Sequence, residues 1–206
     1  METGLHIAVI SNIIFEPYFV PMAKQRFGEN AVVFPIPFEE HIEAEYQTQL
    51  KSADLVVVWL NIETLLPRQF YSLAEQDLHE TIAPCKKLYA DLTSVSRAKI
   101  LWFLFEVYAA PLSVAVGHLY HDFADKLNLA LRDALGDQVS YVDVKHLIAE
   151  IGISNAYDSK GKYRWNAPYS KTLVEAAVNE IHKQYLIEKS LTKKCLVLDC
   201  DNVLWG

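Results

Sequence analysis

The stretch Leu5-His6-Ile7-Ala8-Val9-Ile10-Ser11-Asn12 opens the sequence with a short apolar run that ends in two polar residues. An apolar run of this length is typical of a strand that is buried on both faces of a sheet. In open α/β sheets, ligands bind just beyond the carboxyl ends of the strands. Ser11 and Asn12 therefore occupy the position where an α/β protein usually places its chemistry.

Further apolar runs follow at intervals that leave room for one helix between each pair. This β-α-β-α alternation predicts an α/β fold, namely a three-layer, mostly parallel sheet with helices on both faces, of the SGNH or flavodoxin-like type. The predicted strands are residues 5–11, 31–36, 55–60, 100–105, 139–142 and 195–199. The predicted helices are residues 17–27, 39–52, 68–82, 117–135 and 171–189, the last with Ser170 as its N-cap.

Composition narrows the class of protein. The net charge of −7 disfavours a polyanionic partner such as nucleic acid. No window of about 18 apolar residues lacks charge, which argues against a membrane span, and Met1-Glu2-Thr3-Gly4 lacks the basic start of a signal peptide. Cys85, Cys195 and Cys200 fit no metal-binding spacing. We therefore expect a reduced, cytoplasmic protein.

Polar side chains collect after the first, third and fourth predicted strands. Ser11 and Asn12 follow the first strand, Asn61 the third and Glu106 the fourth. A serine after strand one with an asparagine after strand three resembles the SGNH hydrolases. The resemblance implies that Ser11 is the nucleophile in acyl transfer and that Asn61 is an oxyanion donor.

Two departures from the SGNH pattern argue for a domain without hydrolase activity. The glycine expected after strand two falls at Ile36-Pro37, and proline has no backbone N–H to donate. The D-x-x-H that precedes the last helix in that family has no counterpart in Trp165-Asn166-Ala167-Pro168-Tyr169-Ser170. A serine without a general base stays protonated at neutral pH. Three histidines remain as substitute bases, namely His118, His121 and His146.

A second motif lies at the other end of the sequence, in Cys195-Leu196-Val197-Leu198-Asp199-Cys200-Asp201-Asn202-Val203-Leu204. Residues two apart in a strand point to the same side, so Asp199 and Asp201 can share one pocket. Two such carboxylates repel each other unless a cation or a shared proton relieves them. One aspartate then serves as nucleophile or metal ligand and the other as acid/base.

The pattern D-x-D-x-[TV]-[LV] resembles the first motif of the haloacid dehalogenase (HAD) superfamily, and Trp205-Gly206 makes it similar to the FkbH-like branch. The resemblance implies that Asp199 forms an aspartyl-phosphate, that Asp201 is the general acid/base, and that both hold Mg²⁺. The later motifs of that family are not present in these 206 residues. We therefore expect an SGNH-like domain over residues 1–189, followed at 190–206 by a linker and the first strand of an incomplete HAD-like domain.

FkbH-like proteins carry an SGNH-like region before their phosphatase-like domain. The resemblance implies that the complete protein transfers a glyceryl unit from a phosphorylated three-carbon metabolite to an acyl carrier protein in polyketide or related biosynthesis. For this chain it implies an accessory, non-catalytic domain. Two alternatives stay open, an esterase or acyltransferase that uses Ser11, and a protein-interaction module.

Two segments bear on the interaction alternative. Residues 155–167 form a polar and aromatic stretch that is either a lid or a packed surface loop, and we favour the packed loop. An exposed apolar patch there would favour docking of a partner. The aromatics concerned are Tyr157, Tyr163, Trp165 and Tyr169. The strand at 195–204 is apolar and lacks a sheet of its own, so it should be disordered, add to the main sheet or pair with another chain. Pairing with another chain predicts homo-oligomerisation through this segment.

Overall fold

The computed structural model describes residues 4–39, 42–65, 75–107 and 114–190, with the backbone alone at 75–77 and 114–119. In this part of the chain five strands form one parallel sheet in the order β2-β1-β3-β4-β5. The strands are β1 (His6–Ser11), β2 (Val32–Pro37), β3 (Leu55–Trp59), β4 (Lys99–Phe103) and β5 (Val139–Val142). The helices are α1 (Glu16–Phe27), α2 (Ala44–Ser52), α3 (Ile62–Leu65), α4 (Glu75–Val95), α5 (Val114–Leu135), α6 (Val144–Ile151), α7 (Ile153–Ala156), α8 (Ser159–Trp165) and α9 (Lys171–Glu188).

Burial explains why the interior strands are so apolar. Every residue of β3 is buried, and so is every residue of β1 after His6, because helices cover both faces of the sheet. In the edge strand β2 only Ile36 is buried. The predicted α/β class, with a parallel sheet and helices on both faces, is confirmed.

Two hydrophobic clusters fill the space between the layers. Helices α2, α4 and α5 pack on one face of the sheet, against side chains such as Ala8 and Val56. Helices α1, α6 and α9 pack on the other face, against Ile7 and Val57. Successive strand residues point to opposite faces, so each strand contributes alternately to the two clusters.

The ends of α1 and α9 follow the sequence signals. The Ser170 side chain accepts a hydrogen bond from the backbone N–H of Leu173, which confirms it as the N-cap of α9. Gly28 follows α1 with φ of 106°, a conformation that glycine adopts without steric cost.

Several predicted boundaries were wrong. Helix α4 continues past Pro84 to Val95 rather than ending at residue 82, because the residues after the proline, such as Cys85, Leu88 and Leu92, are buried against the sheet and offset its cost. The second helix begins at Ala44 rather than at residue 39, and β4 ends at Phe103 rather than at residue 105.

The segment at 155–167 is not the loop that we predicted, since it contains helix α8. The side chain of Asp158 caps this helix and accepts from the backbone N–H groups of Lys160 and Gly161. Gly161 is buried, and a Cβ there would lie 2.6 Å from the carbonyl oxygen of Ala167, so only glycine lets the backbones approach. A short helix with a local cap carries little hydrophobic periodicity, which is why the sequence pattern missed it.

The predicted linker and strand at 190–206 lie outside the described residues from 191 onward. No helix in the described ranges is both long and apolar enough to cross a bilayer.

Candidate functional site

Ser11 ends β1 at the carboxyl edge of the sheet, and its hydroxyl is engaged in a closed turn. Ser11 Oγ donates to the carbonyl oxygen of Ile13 at 3.0 Å and accepts from the backbone N–H of Ile13 at 3.1 Å. The side chain is buried. Both the proton and a lone pair of the hydroxyl therefore serve the turn that leads into α1.

Asn12 and Asn61 join the carboxyl ends of β1 and β3, where the strand order reverses. Asn12 Nδ2 donates to the carbonyl oxygen of Asn61 at 2.9 Å, and the backbone N–H of Asn61 donates to Asn12 Oδ1 at 2.7 Å. This reversal point is where doubly wound sheets place their ligands. Here the side-chain amide of Asn12 closes it by pairing with the backbone of Asn61.

The predicted oxyanion donor Asn61 is buried beside this clasp. Its Oδ1 accepts from the backbone N–H of Glu63 at 2.9 Å. Its Nδ2 is buried and has no hydrogen-bond partner in the described part of the chain. On the other side of β1, the backbone N–H of Phe38 donates to the carbonyl oxygen of Ser11 at 2.8 Å. The first backbone N–H after β2 is therefore already engaged in a hydrogen bond with the end of β1.

Glu106 follows β4 and is the buried acid of the site. Asn128 of α5 fixes the preceding residue, since its Oδ1 accepts from the Phe105 N–H at 2.7 Å and its Nδ2 donates to the Phe105 carbonyl at 2.8 Å. Only 3% of Glu106 is exposed. The hydroxyl of Tyr157 donates to Glu106 Oε2, and Glu106 Oε1 forms no hydrogen bond of regular geometry within the described ranges.

Burial dominates the electrostatics of this carboxyl and raises the pKa of Glu106 from 4.5 to about 7. The hydroxyls of Tyr157 and Tyr169 face the carboxyl and oppose the rise. Glu63 adds to the rise in pKa, and Lys162, which forms an ion pair with Glu63, opposes it. Burial is the larger cause that raises the pKa of Tyr157, and the charge of Glu106 is the next. The same two causes raise the pKa of Tyr169 well above its ordinary value. Both phenols therefore stay protonated at neutral pH.

Tyr169 occupies the segment before the last helix. It is 2% exposed and stacks on Trp59 with ring centroids 4.8 Å apart, while Trp59 stacks on Phe103 at 4.5 Å. An isolated antiparallel bridge pairs Tyr157 with Tyr169. A row of stacked aromatic rings thus fills the region between the strand ends and α9.

Two of the three histidines considered as substitute bases, those whose side chains the structure describes, form no hydrogen bond with Ser11. His121 and His146 are exposed on α5 and α6, and His146 lies 3.3 Å from Glu150. The side chain of His118 lies outside the described residues. Within the described ranges, Ser11 Oγ forms hydrogen bonds with Ile13.

Asp199 and Asp201 lie outside the described residues, so the structure does not place the predicted HAD motif. Among the described residues no group of three or more histidine, cysteine, aspartate or glutamate side chains could hold a metal ion. The fit of these two aspartates to Mg²⁺ therefore rests on their donor chemistry, because Mg²⁺ prefers carboxylate oxygens.

The structure brings together Ser11, Asn12, Asn61 and Glu106 at one edge of the sheet, as the strand-end argument predicts. Sequence reasoning missed the roles of Tyr169 and Asn128. For Tyr169 the sequence did offer one signal, since this tyrosine directly precedes Ser170, the N-cap of the last helix. No signal in the sequence indicated that Asn128 clamps Phe105.

This arrangement is an SGNH/GDSL-like α/β fold, and comparison with solved structures supports it at low sequence identity. One similar structure is the N-terminal part of protein BF1531 from Bacteroides fragilis, which contains a phosphatase domain and was crystallised with Mg (TM-score 0.67, 14% identity). The match covers 98% of this chain and 57% of that one, so the chain spans a little over half of its length.

Two acylhydrolases share the fold. The lipase/acylhydrolase from Enterococcus faecalis aligns with a TM-score of 0.54 and 11% identity, over 87% of this chain and 97% of that one. A catalytic mutant of the acetylxylan esterase Axe2 from Geobacillus stearothermophilus aligns with a TM-score of 0.54 and 10% identity, over 88% and 96%. No protein-family model matches the chain, and no curated protein sequence matches it.

Proposed function

We propose that this chain is an accessory SGNH-like domain that has lost serine hydrolase chemistry. The observation that carries the proposal is the state of Ser11, whose hydroxyl both donates to and accepts from Ile13 inside a buried turn. Tyr169, a protonated phenol, stands in the segment where the SGNH pattern needs a histidine. Without a base, the serine hydroxyl is a weak nucleophile.

We further propose that the complete protein is an FkbH-like, phosphatase-like transferase. Asp199 would be the nucleophile and Asp201 the acid/base, and together they would hold Mg²⁺, which stabilises developing phosphate charge when bound. The similarity of the fold to the N-terminal part of a phosphatase-domain protein crystallised with Mg supports this reading. The donor would be a phosphorylated three-carbon metabolite and the glyceryl acceptor an acyl carrier protein, in the cytoplasm.

One observation favours a second function, an active esterase or acyltransferase. The Nδ2 group of Asn61 is buried and forms no hydrogen bond of regular geometry in the described ranges, although the Asn61 side chain faces the Tyr169 hydroxyl, and an oxyanion donor must have an available N–H. If Asn61 does serve an oxyanion, Asn61→Ala would lower turnover by about 10²- to 10³-fold.

Hydrolysis of a short-chain ester such as p-nitrophenyl acetate separates the two functions. We expect the unaltered chain to match the heat-denatured chain in rate and Ser11→Ala to match both. Ser52→Ala, at an exposed serine on α2, is the matched control. Turnover above background that is lost in Ser11→Ala and kept in Ser52→Ala would establish the esterase instead.

A further inference from the structure

Helix α8 presents two large aromatic side chains to solvent. Tyr163 is 79% exposed and Trp165 is 68% exposed, although both side chains are large and apolar enough to be buried in most folds. Ile14 is also exposed, and its backbone N–H donates to the carbonyl oxygen of Asn166, directly after Trp165. Ile14 therefore lies beside the carboxyl end of α8.

The same helix carries positive charge on an acidic protein. The chain has 19 basic and 26 acidic residues, yet α8 holds three basic residues and no acidic one. Lys162 is paired with Glu63, whereas Lys160 and Arg164 are exposed and form no ion pair within the described ranges. Lys160, Tyr163 and Arg164 are three and four residues apart and so share one side of the helix. Trp165 comes one residue after Arg164 and two after Tyr163, so its exposed side chain leaves the helix on a different side. We call the exposed side chains Lys160, Tyr163, Arg164 and Trp165 the α8 patch.

The helix that carries the α8 patch is held on several sides. Asp158 caps its first turn, and buried Gly161 packs directly against the backbone of Ala167. At its other end Asn166 Nδ2 donates to the carbonyl oxygen of Asn12 at 3.1 Å. A held helix offers its side chains at a small entropic cost to a partner, as interaction hot spots require.

We infer that the α8 patch is a docking surface for an acidic protein partner. Arginine, tyrosine and tryptophan are the residue types that dominate binding energy at protein interfaces. The two unpaired cations select a surface of opposite charge, and the overall charge of −7 repels such a partner elsewhere. The inference rests on the proposed function in one respect, since an acyl carrier protein is the acidic partner that the proposal names.

Binding of a fluorescent acyl carrier protein to the 206-residue chain, followed by anisotropy, tests the inference. We expect the double charge reversal Lys160→Glu/Arg164→Glu and the single change Trp165→Ala each to weaken binding about tenfold or more. Raising the ionic strength from about 0.05 M to about 0.3 M should weaken binding of the unaltered chain, because salt screens exposed charges.

Matched controls lie outside the α8 patch. Lys24→Glu/Lys51→Glu reverses two exposed lysines on α1 and α2, and Leu129→Ala removes an exposed apolar side chain from α5. Both should leave the affinity within about twofold. Circular dichroism of every variant confirms folding, and Arg164→Gln provides a milder change if the double reversal fails to fold.

Each other outcome overturns the inference in a distinguishable way. If the α8 variants bind the carrier protein with the affinity of the unaltered chain, the partner docks on another surface, and the proposed function stands. No binding by the unaltered chain would overturn both the docking surface and the carrier-protein role, while the ester assay still decides the loss of hydrolase activity. Self-association that Trp165→Ala abolishes in sedimentation would make a second copy the occupant instead.

Discussion

Glu106 shows most clearly how burial sets the chemistry of a single residue. Its carboxyl is 3% exposed, and its hydrogen-bond partner Tyr157 belongs to the segment between α7 and α8. Burial raises the pKa of Glu106 to about 7, so the folded chain binds this proton more tightly than the unfolded chain does. Its contribution to stability is therefore full below the ordinary pKa of 4.5 and is lost as the pH rises to about 7.

Glu106→Gln removes this titration while keeping an acceptor for Tyr157. We expect the free energy of unfolding of the unaltered chain to fall by about 3 kcal/mol more than that of the variant between pH 4.5 and 7. Urea unfolding at both pH values measures the difference. Glu175→Gln, an exposed change on α9, should follow the unaltered chain. Equal pH dependence in Glu106→Gln and the unaltered chain would contradict the assignment.

At the residue scale the sequence indicated which strand ends would meet, and the structure confirms that Ser11, Asn12, Asn61 and Glu106 share one edge of the sheet. It did not indicate what each side chain contacts. The turn that engages Ser11 depends on backbone angles at Ile13, and the position of Tyr169 depends on stacking with Trp59. Such contacts follow from the tertiary packing and have no periodic signal.

At the scale of elements, Asn128 links helix α5 to the end of β4. Its amide pairs with both backbone groups of Phe105, in the manner of one further residue of a sheet ladder. Asn128→Ala leaves the N–H and the carbonyl of a buried residue without these partners, so we expect a loss of about 1–3 kcal/mol in the free energy of unfolding. The neighbouring exposed change Leu129→Ala should cost less than about 0.5 kcal/mol in the same denaturant titration. Equal effects of the two changes would show that the clamp contributes nothing.

Elements with strong periodicity were the ones that sequence analysis could predict. Strand β5 has the predicted bounds, and α9 begins at the predicted N-cap. Helices α7 and α8 were missed because they are seven residues long or shorter, and a local cap at Asp158 begins α8. A cap of one aspartate is common in loops as well, so it does not by itself predict a helix.

For the whole molecule, the buried residues of both hydrophobic clusters lie between Ile7 and Ile181 in the part of the chain that the structure describes. Removing residues 191–206 should therefore leave one cooperative unfolding transition with a nearly unchanged midpoint, measured by circular dichroism. The prediction that the 195–204 strand mediates homo-oligomerisation is tested with the same truncation. Sedimentation that gives one oligomeric state for both chains would contradict it.

The central claim is that an SGNH-like fold here carries no working serine nucleophile. Reaction with a fluorophosphonate probe, read by peptide mass spectrometry, tests it most directly, because the probe labels serines that an adjacent base activates. We predict no adduct at Ser11 in the unaltered chain, under conditions in which an active SGNH hydrolase is labelled to completion. Stoichiometric labelling of Ser11 that is absent from Ser11→Ala would contradict the account and establish the chain as a serine hydrolase.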